Sequence, residues 1–455
     1  MVLKIVHLGF PISKEHVQKN KTTNGMQVNI QRNQLFVASC LALLVTSLSF
    51  GIRAGLLDTW KFEFALTQED ASIITSTAFW GFPLAVIIGG FLVDIIGMKK
   101  LLVLAFFLHL AGILLTIFAN GFTALFISTL FIGMGNGTVE AACNPLVTAL
   151  YPEKKTTKLN HFHLWFPGGI VIGTLVVFFL GQKIADTAYL SNWQILVGLM
   201  LIPTLLYGFL FLKLKFPVTE RVAAGVSTGE MYRSLGNPLF LFMIILMFGT
   251  AITELFTGQW IDVLLKTVTD NALLILTIST GVMVVGRGLA EPIVHRFSAT
   301  GVLLISAVLS AIGLYILGHS AGSMLYVGAL VFGLGVCYFW PTMLGFVAEN
   351  LPKTGAVGLN LMGGAGMFAV AIYMLFMGNF YDSKVVSKLP AGADLAAYSG
   401  PTASPEMQAA LNEAKTAAGP EIINATLVIP IILAFAFTFL FVYMRNRRMP
   451  TLQTA

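Results

Sequence analysis

The chain has 455 residues, of which 56% are apolar and only 11% charged, and its mean hydropathy is +0.84. A soluble chain carries about 25% charged residues, so there is too little polar residue here to skin the several domains such a length would form. Disordered chains are poor in apolar residues and are excluded too. An all-α polytopic membrane protein remains, and its net charge of +6 reads as the Lys/Arg excess of inner loops rather than as a nucleic-acid footprint.

Residues 1–34 form a polar N-tail with no short apolar core and cleavage site, so no cleaved signal peptide is expected. A bilayer core of about 30 Å needs roughly 20 apolar helical residues. Ten stretches of at least 18 residues lack Asp, Glu, Lys and Arg: 35–52, 71–93, 101–119, 121–139, 164–182, 194–212, 297–318, 320–348, 354–381 and 422–444. Two more, 238–265 and 271–294, are interrupted by Glu254 and Asp262 and by Arg287 and Glu291. Twelve transmembrane helices put both termini on one side. With that side inside, 19 of the 27 Lys and Arg lie in inner segments and 6 in outer ones, which predicts cytoplasmic termini.

Residues 35–215 and 237–444 then form two six-helix bundles, joined by the polar linker 216–236. Residues 382–421 read as a loosely ordered outer loop and 445–455 as a cytoplasmic C-tail. The halves repeat at an offset of about 200 residues: Pro152–Asn160 matches Pro352–Asn360, Cys143-Asn144-Pro145 faces Cys337 to Pro341, and Gly168-Gly169 faces Gly363-Gly364. Parallel repeats suit a rocking device with its site between the halves, near the midplane.

The loop after the second span reads Gly90-Phe-Leu-Val-Asp94-Ile-Ile-Gly97-Met-Lys99-Lys100, and a degraded counterpart holds Gly286-Arg287-Gly288 and His295-Arg296. This resembles the signature of the major facilitator superfamily, which implies that fold over the whole chain. Glycines there allow close helix approach, and Asp94 is expected to pair with loop cations and latch the inner face, with Gly90, Gly97, Lys99, Lys100 and Arg287 in the same role. On the fourth span, Glu140-Ala-Ala-Cys-Asn144-Pro145 is similar to the fucose–galactose–glucose:proton symporter branch. That resemblance implies a transport-path glutamate at Glu140, with Asp58 as the matching aspartate at the end of the first span.

A charge at mid-membrane costs about 2.5–3.5 kcal/mol and usually borders an interior cavity. Glu140 shares a helix face with Asn136 and Asn144, at spacings of four, and that stripe should line a pathway. Glu140 and Asp58 are expected to carry the coupling proton. Arg53, a planar cation that suits carboxylates or several hydroxyls, joins Asn136, Asn144, Glu254, Gln259, Trp260 and Trp340 as expected cargo contacts. His163 lies near the inner face and reads as a gating residue. Asn160 and Asn360 read as bonding loop backbone.

The reading is a secondary transporter importing a monosaccharide, coupled to protons, with sodium as the other ion carboxylates serve. A sugar acid or other organic anion clamped by Arg53 is the alternative, and a non-transporting nutrient sensor a second. No phosphate-binding loop and no paired-histidine motif occurs, so neither metal nor cofactor is expected, and no enzyme activity. The expected setting is a monomer in a cell membrane, of the bacterial inner-membrane kind, with no partner but cargo, ion and lipid.

Overall fold

A computed structural model describes residues 18–21, 27–181, 183–187, 189–258, 272–399 and 403–446. A short antiparallel hairpin, β1 (Gln18–Lys21) and β2 (Gln27–Ile30), precedes the helices. The first half holds α1 (Arg32–Glu63), α2 (Gln68–Ile96), α3 (Met98–Ile117), α4 (Phe122–Leu150), α5 (Lys155–Leu180) and α6 (Asn192–Lys213). The second holds α7 (Pro238–Phe256), α8 (described over Ala272–Gly288), α9 (Ala290–His319, broken at Ser298, where φ is 62°), α10 (Met324–Asn350), α11 (Pro352–Lys388) and α12 (Pro405–Arg445). Among the described residues, eleven of these are long and apolar enough to cross a membrane, and α8 is a shorter apolar helix. The linker carries two short helices, Glu220–Ala223 and Thr228–Leu235.

Helix ends follow local chemistry. The α2 start is fixed by a capping box between Thr67 and Asp70, and its end by Gly97 at φ 87°, a left-handed turn that glycine takes without strain. Pro238 opens α7 behind Asn237, whose side chain accepts from the Leu239 N–H. Between α1 and α5 the backbones nearly touch: a Cβ on Gly51 would sit 2.5 Å from the Ile170 carbonyl oxygen. Small residues are what allow such contact where lipid supplies no hydrophobic drive.

The expected loose outer loop is corrected. At 41 residues α12 is about 61 Å long, twice the hydrocarbon thickness, and α11 also continues outward as far as Lys388. Tyr381, Val385 and Leu389 are buried on one helix, and Leu411, Ala414 and Ala418 on the other. Glu421 bridges Lys384 and Lys388 at 2.8 and 2.9 Å. A packed helical hairpin stands there.

The two halves meet at the end that holds the linker. Lys154 reaches Glu291 at 2.5 Å, Lys155 reaches Glu220 and the Ala348 carbonyl, and the Thr156 N–H donates to Glu349. Two further bonds are related by the repeat. Asn160 of α5 donates to Thr342 of α10 at 3.2 Å, and Asn360 of α11 donates to the Ala141 carbonyl of α4 at 3.0 Å. These two asparagines therefore join the halves instead of tying down loop backbone.

Candidate functional site

Three charged residues of the spans, Glu140, Glu254 and Arg287, gather with His163 where α4, α5, α7, α8 and α10 converge. On α4, Asn144 Nδ2 donates to Glu140 Oε2 at 2.6 Å. That leaves Asn144 Oδ1 to accept from His163 Nε2 of α5 at 3.1 Å. With its proton on Nε2, His163 turns the lone pair of Nδ1 toward Glu140 Oε1, 3.7 Å away. Two acceptors thus face each other 3.7 Å apart, beyond hydrogen-bond length, and a small approach lets one proton bridge them. All three side chains are buried.

The second half supplies Arg287 and Glu254. Arg287 is 1% exposed, and its fork is used in full: Nη2 to Glu254 Oε1 at 2.6 Å, Nη1 to the His163 carbonyl at 2.9 Å, and Nε to the Cys337 carbonyl at 2.7 Å. A π-helical turn over Ile252–Phe256 carries Glu254; such turns insert a residue and re-aim side chains, often at functional sites. The other Glu254 oxygen accepts from the Trp340 N–H at 3.3 Å. Arg287 was expected in the latch near the inner surface. It is corrected to the centre, where it ties α7, α8 and α10 to the backbone of α5.

Two expectations for the first half are revised. Asn136 does share a helix with Glu140, but its side chain turns into the first bundle. Its carbonyl accepts from His109 Nε2 at 2.9 Å and its amide donates to Ser49 at 3.3 Å. His109 Nδ1 in turn accepts from the Tyr207 hydroxyl at 2.8 Å, so four helices are cross-linked by one dry chain. Asp58 is 95% exposed and pairs with Lys61 at 3.2 Å, separate from Glu140.

Arg53 is 7% exposed, and the Phe50 ring lies 5.0 Å from its guanidinium. Among the described residues it forms no ion pair. Trp340 is buried and packs on α11, where a Cβ on Gly366 would lie 3.0 Å from its ring. Gln259 and Trp260 lie outside the described residues.

Asp94, expected to pair with loop cations, meets one in the linker, while Lys99 and Lys100 lie elsewhere. Asp94 binds Arg221 Nε at 2.6 Å and the Thr219 hydroxyl, both in the linker. Lys99 donates to the Leu212 and Leu214 carbonyls at the end of α6, and Lys100 is exposed. Gly90 abuts Asn360, since a Cβ there would lie 2.6 Å from the Asn360 Cβ. In the linker, burial pushes the Glu220 carboxyl up from its usual range, against the pull of Lys155.

A groove of about 740 Å³ lies between α8, α9 and α10. Its lining, from Thr277 to Tyr338, contains no charged side chain, so it suits acyl chains rather than a hydrophilic solute.

Residues 39–269 match the family model of the Major Facilitator Superfamily. The chain belongs to that superfamily. It is 26% identical over 165 residues to the probable anion transporter 6, chloroplastic, of Arabidopsis thaliana, covering 36% of this chain and 31% of that protein. It is 27% identical over 179 residues to the galactose-proton symporter of Escherichia coli (strain K12), covering 38% and 37%. The chain thus matches about a third of the length of these curated relatives. In fold it is similar to the crystal structure of the E. coli fucose:proton symporter, with a TM-score of 0.64 and 17% identity over 88% of this chain and 98% of that one. This is a multi-pass membrane protein of transporter fold, and its relatives are transporters, not enzymes.

Proposed function

We propose that this protein imports a monosaccharide-class solute by alternating access, coupled to protons, with Glu140 as the proton carrier. The termini and linker lie in the cytoplasm of a cell membrane, so the cytoplasmic side is the one held closed here. The observation that carries this reading is the gap between Glu140 Oε1 and His163 Nδ1. A proton there converts two opposed acceptors into a donor and an acceptor, and it does so beside the seam between the halves.

Arg287 is bonded to Glu254 and not to the Glu140 carboxylate, so Glu140 is the carboxylate left to take and release the proton. When the proton leaves, the two carboxylates compete for one guanidinium, and the contact that Arg287 makes with α5 is the one placed to give way. The likeness to a galactose-proton symporter and the Glu140-to-Pro145 motif support the cargo class.

The test uses purified protein in liposomes and a panel of labelled hexoses and hexose-derived acids. Glu140→Gln offers an amide donor to His163 and mimics the protonated form. It should keep exchange counterflow and lose accumulation driven by a proton gradient. Accumulation by Glu140→Gln with unaltered pH dependence, or uptake driven by sodium alone, refutes the proton-carrier assignment.

A further inference from the structure

We propose that Arg53 receives a carboxylate of the cargo, so that the solute is a sugar acid rather than a neutral sugar. The inference deepens the proposed function and rests on its reading of a carrier path between the halves.

The two buried arginines of the spans differ in their surroundings. Arg287 has a carboxylate and two carbonyls around its fork. Arg53 has the face of Phe50 and, among the described residues, no counter-ion. An aromatic face offsets only part of the desolvation of a cation, and a guanidinium this deep in a membrane helix ordinarily has an acidic partner. The nearest acidic residue on its own helix, Asp58, is exposed and engaged by Lys61. A planar fork with free donors fits a carboxylate in two parallel bonds.

A phosphate dianion would call for a second cation, and the other buried cations are committed. Arg287 holds Glu254, Arg221 holds Asp94, and Lys155 holds Glu220. The ligand of a single unpaired fork is therefore a monoanion.

Charge balance gives an independent argument. Among the described residues the buried charges of the spans outside the linker contacts are Arg53, Arg287, Glu140 and Glu254, which sum to zero. Adding one proton and one monoanion keeps the sum at zero. Adding a proton with a neutral sugar leaves a buried net positive charge.

The full-length protein in liposomes tests this with labelled D-glucuronate and D-gluconate against D-glucose and L-fucose. The acids should exchange at least about tenfold faster than the hexoses. Arg53→Gln should lose acid exchange by more than about tenfold, and Arg53→Lys, which keeps the charge without the fork, should lose less. Proton-driven uptake of the acid should ignore a potassium–valinomycin potential, because no net charge moves. A measurement on the wild-type protein guards against misfolded variants: the acids, not the hexoses, should raise its melting temperature. Equal exchange of hexoses and acids, unchanged acid exchange by Arg53→Gln, or potential-driven acid uptake overturns the Arg53 assignment and leaves the carrier reading standing. Failure of all four solutes to exchange or stabilise overturns both.

Discussion

The closed linker end makes a sharp prediction at Gly345 of α10. A Cβ there would lie 2.6 Å from the Thr156 Cα of α5, in the opposite half. Ordinary contact needs about 3.4 Å or more, and a backbone atom cannot swing aside as a side-chain tip can. Overpacking of this kind costs about 1–3 kcal/mol. The cost falls on the closed arrangement alone, because separation of α5 and α10 removes the collision. The helix-propensity gain of alanine is common to both arrangements and cancels. Gly345→Ala should therefore shift the balance between them by a factor of about 5 to 150 toward linker-end opening. Spin labels on Lys100→Cys and Arg296→Cys, both exposed and in opposite halves, report the separation by pulsed electron paramagnetic resonance. Replacement of the three native cysteines, all buried, provides the background. A longer distance population should grow in Gly345→Ala. An unchanged distribution in a variant that remains monodisperse refutes the idea that this contact holds the linker end shut.

Two further predictions concern stability. Removing either member of the Arg287–Glu254 pair, as Arg287→Met or Glu254→Met, should cost about 3–5 kcal/mol by stranding a buried charge, and the double variant should recover much of that loss. Thermal unfolding in detergent measures it, and strictly additive losses contradict the pairing. Asn136→Ala should cost about 1–3 kcal/mol by orphaning the His109 ring N–H while leaving the apparent affinity for cargo unchanged. Weakened affinity at full stability would return Asn136 to the cargo site.

The spans were legible because the bilayer imposes a length and a polarity that a one-dimensional scan can count. The outer hairpin was not, since helix beyond the bilayer loses the apolar run on which that scan depends. A second signal was present: Tyr381, Val385 and Leu389 recur at intervals of four, as a buried helical face requires. Asn136 shows the limit of the same reasoning at the site. Spacing correctly put it on one helix with Glu140 and Asn144, yet adjacent turns of a helix in a bundle can face different neighbours. His109 and Ser49, the partners that claim Asn136, stand 27 and 87 residues before it in sequence, so no local pattern links them. Arg287 resembled a surface latch because it lies between glycines at the end of a span. Only the π-turn on α7, which brings Glu254 to it, reveals its place at the centre.

The site also suggests why coupling would be strict without any mechanical gate on the proton. Four buried charges that cancel tolerate either no additional ion or two of opposite sign. A proton bound alone leaves the seam with one excess positive charge, and a sugar acid bound alone leaves it with one excess negative charge. Either half-loaded state must rearrange its halves while carrying an uncompensated charge through a low-dielectric interior. The empty and doubly loaded states carry none. On this account the seal at the linker end, made by Asn160, Asn360 and the lysine pairs, sets how readily the halves part. The proposed division of labour, Arg53 for the anion and Glu140 for the proton, decides which loads are allowed to move.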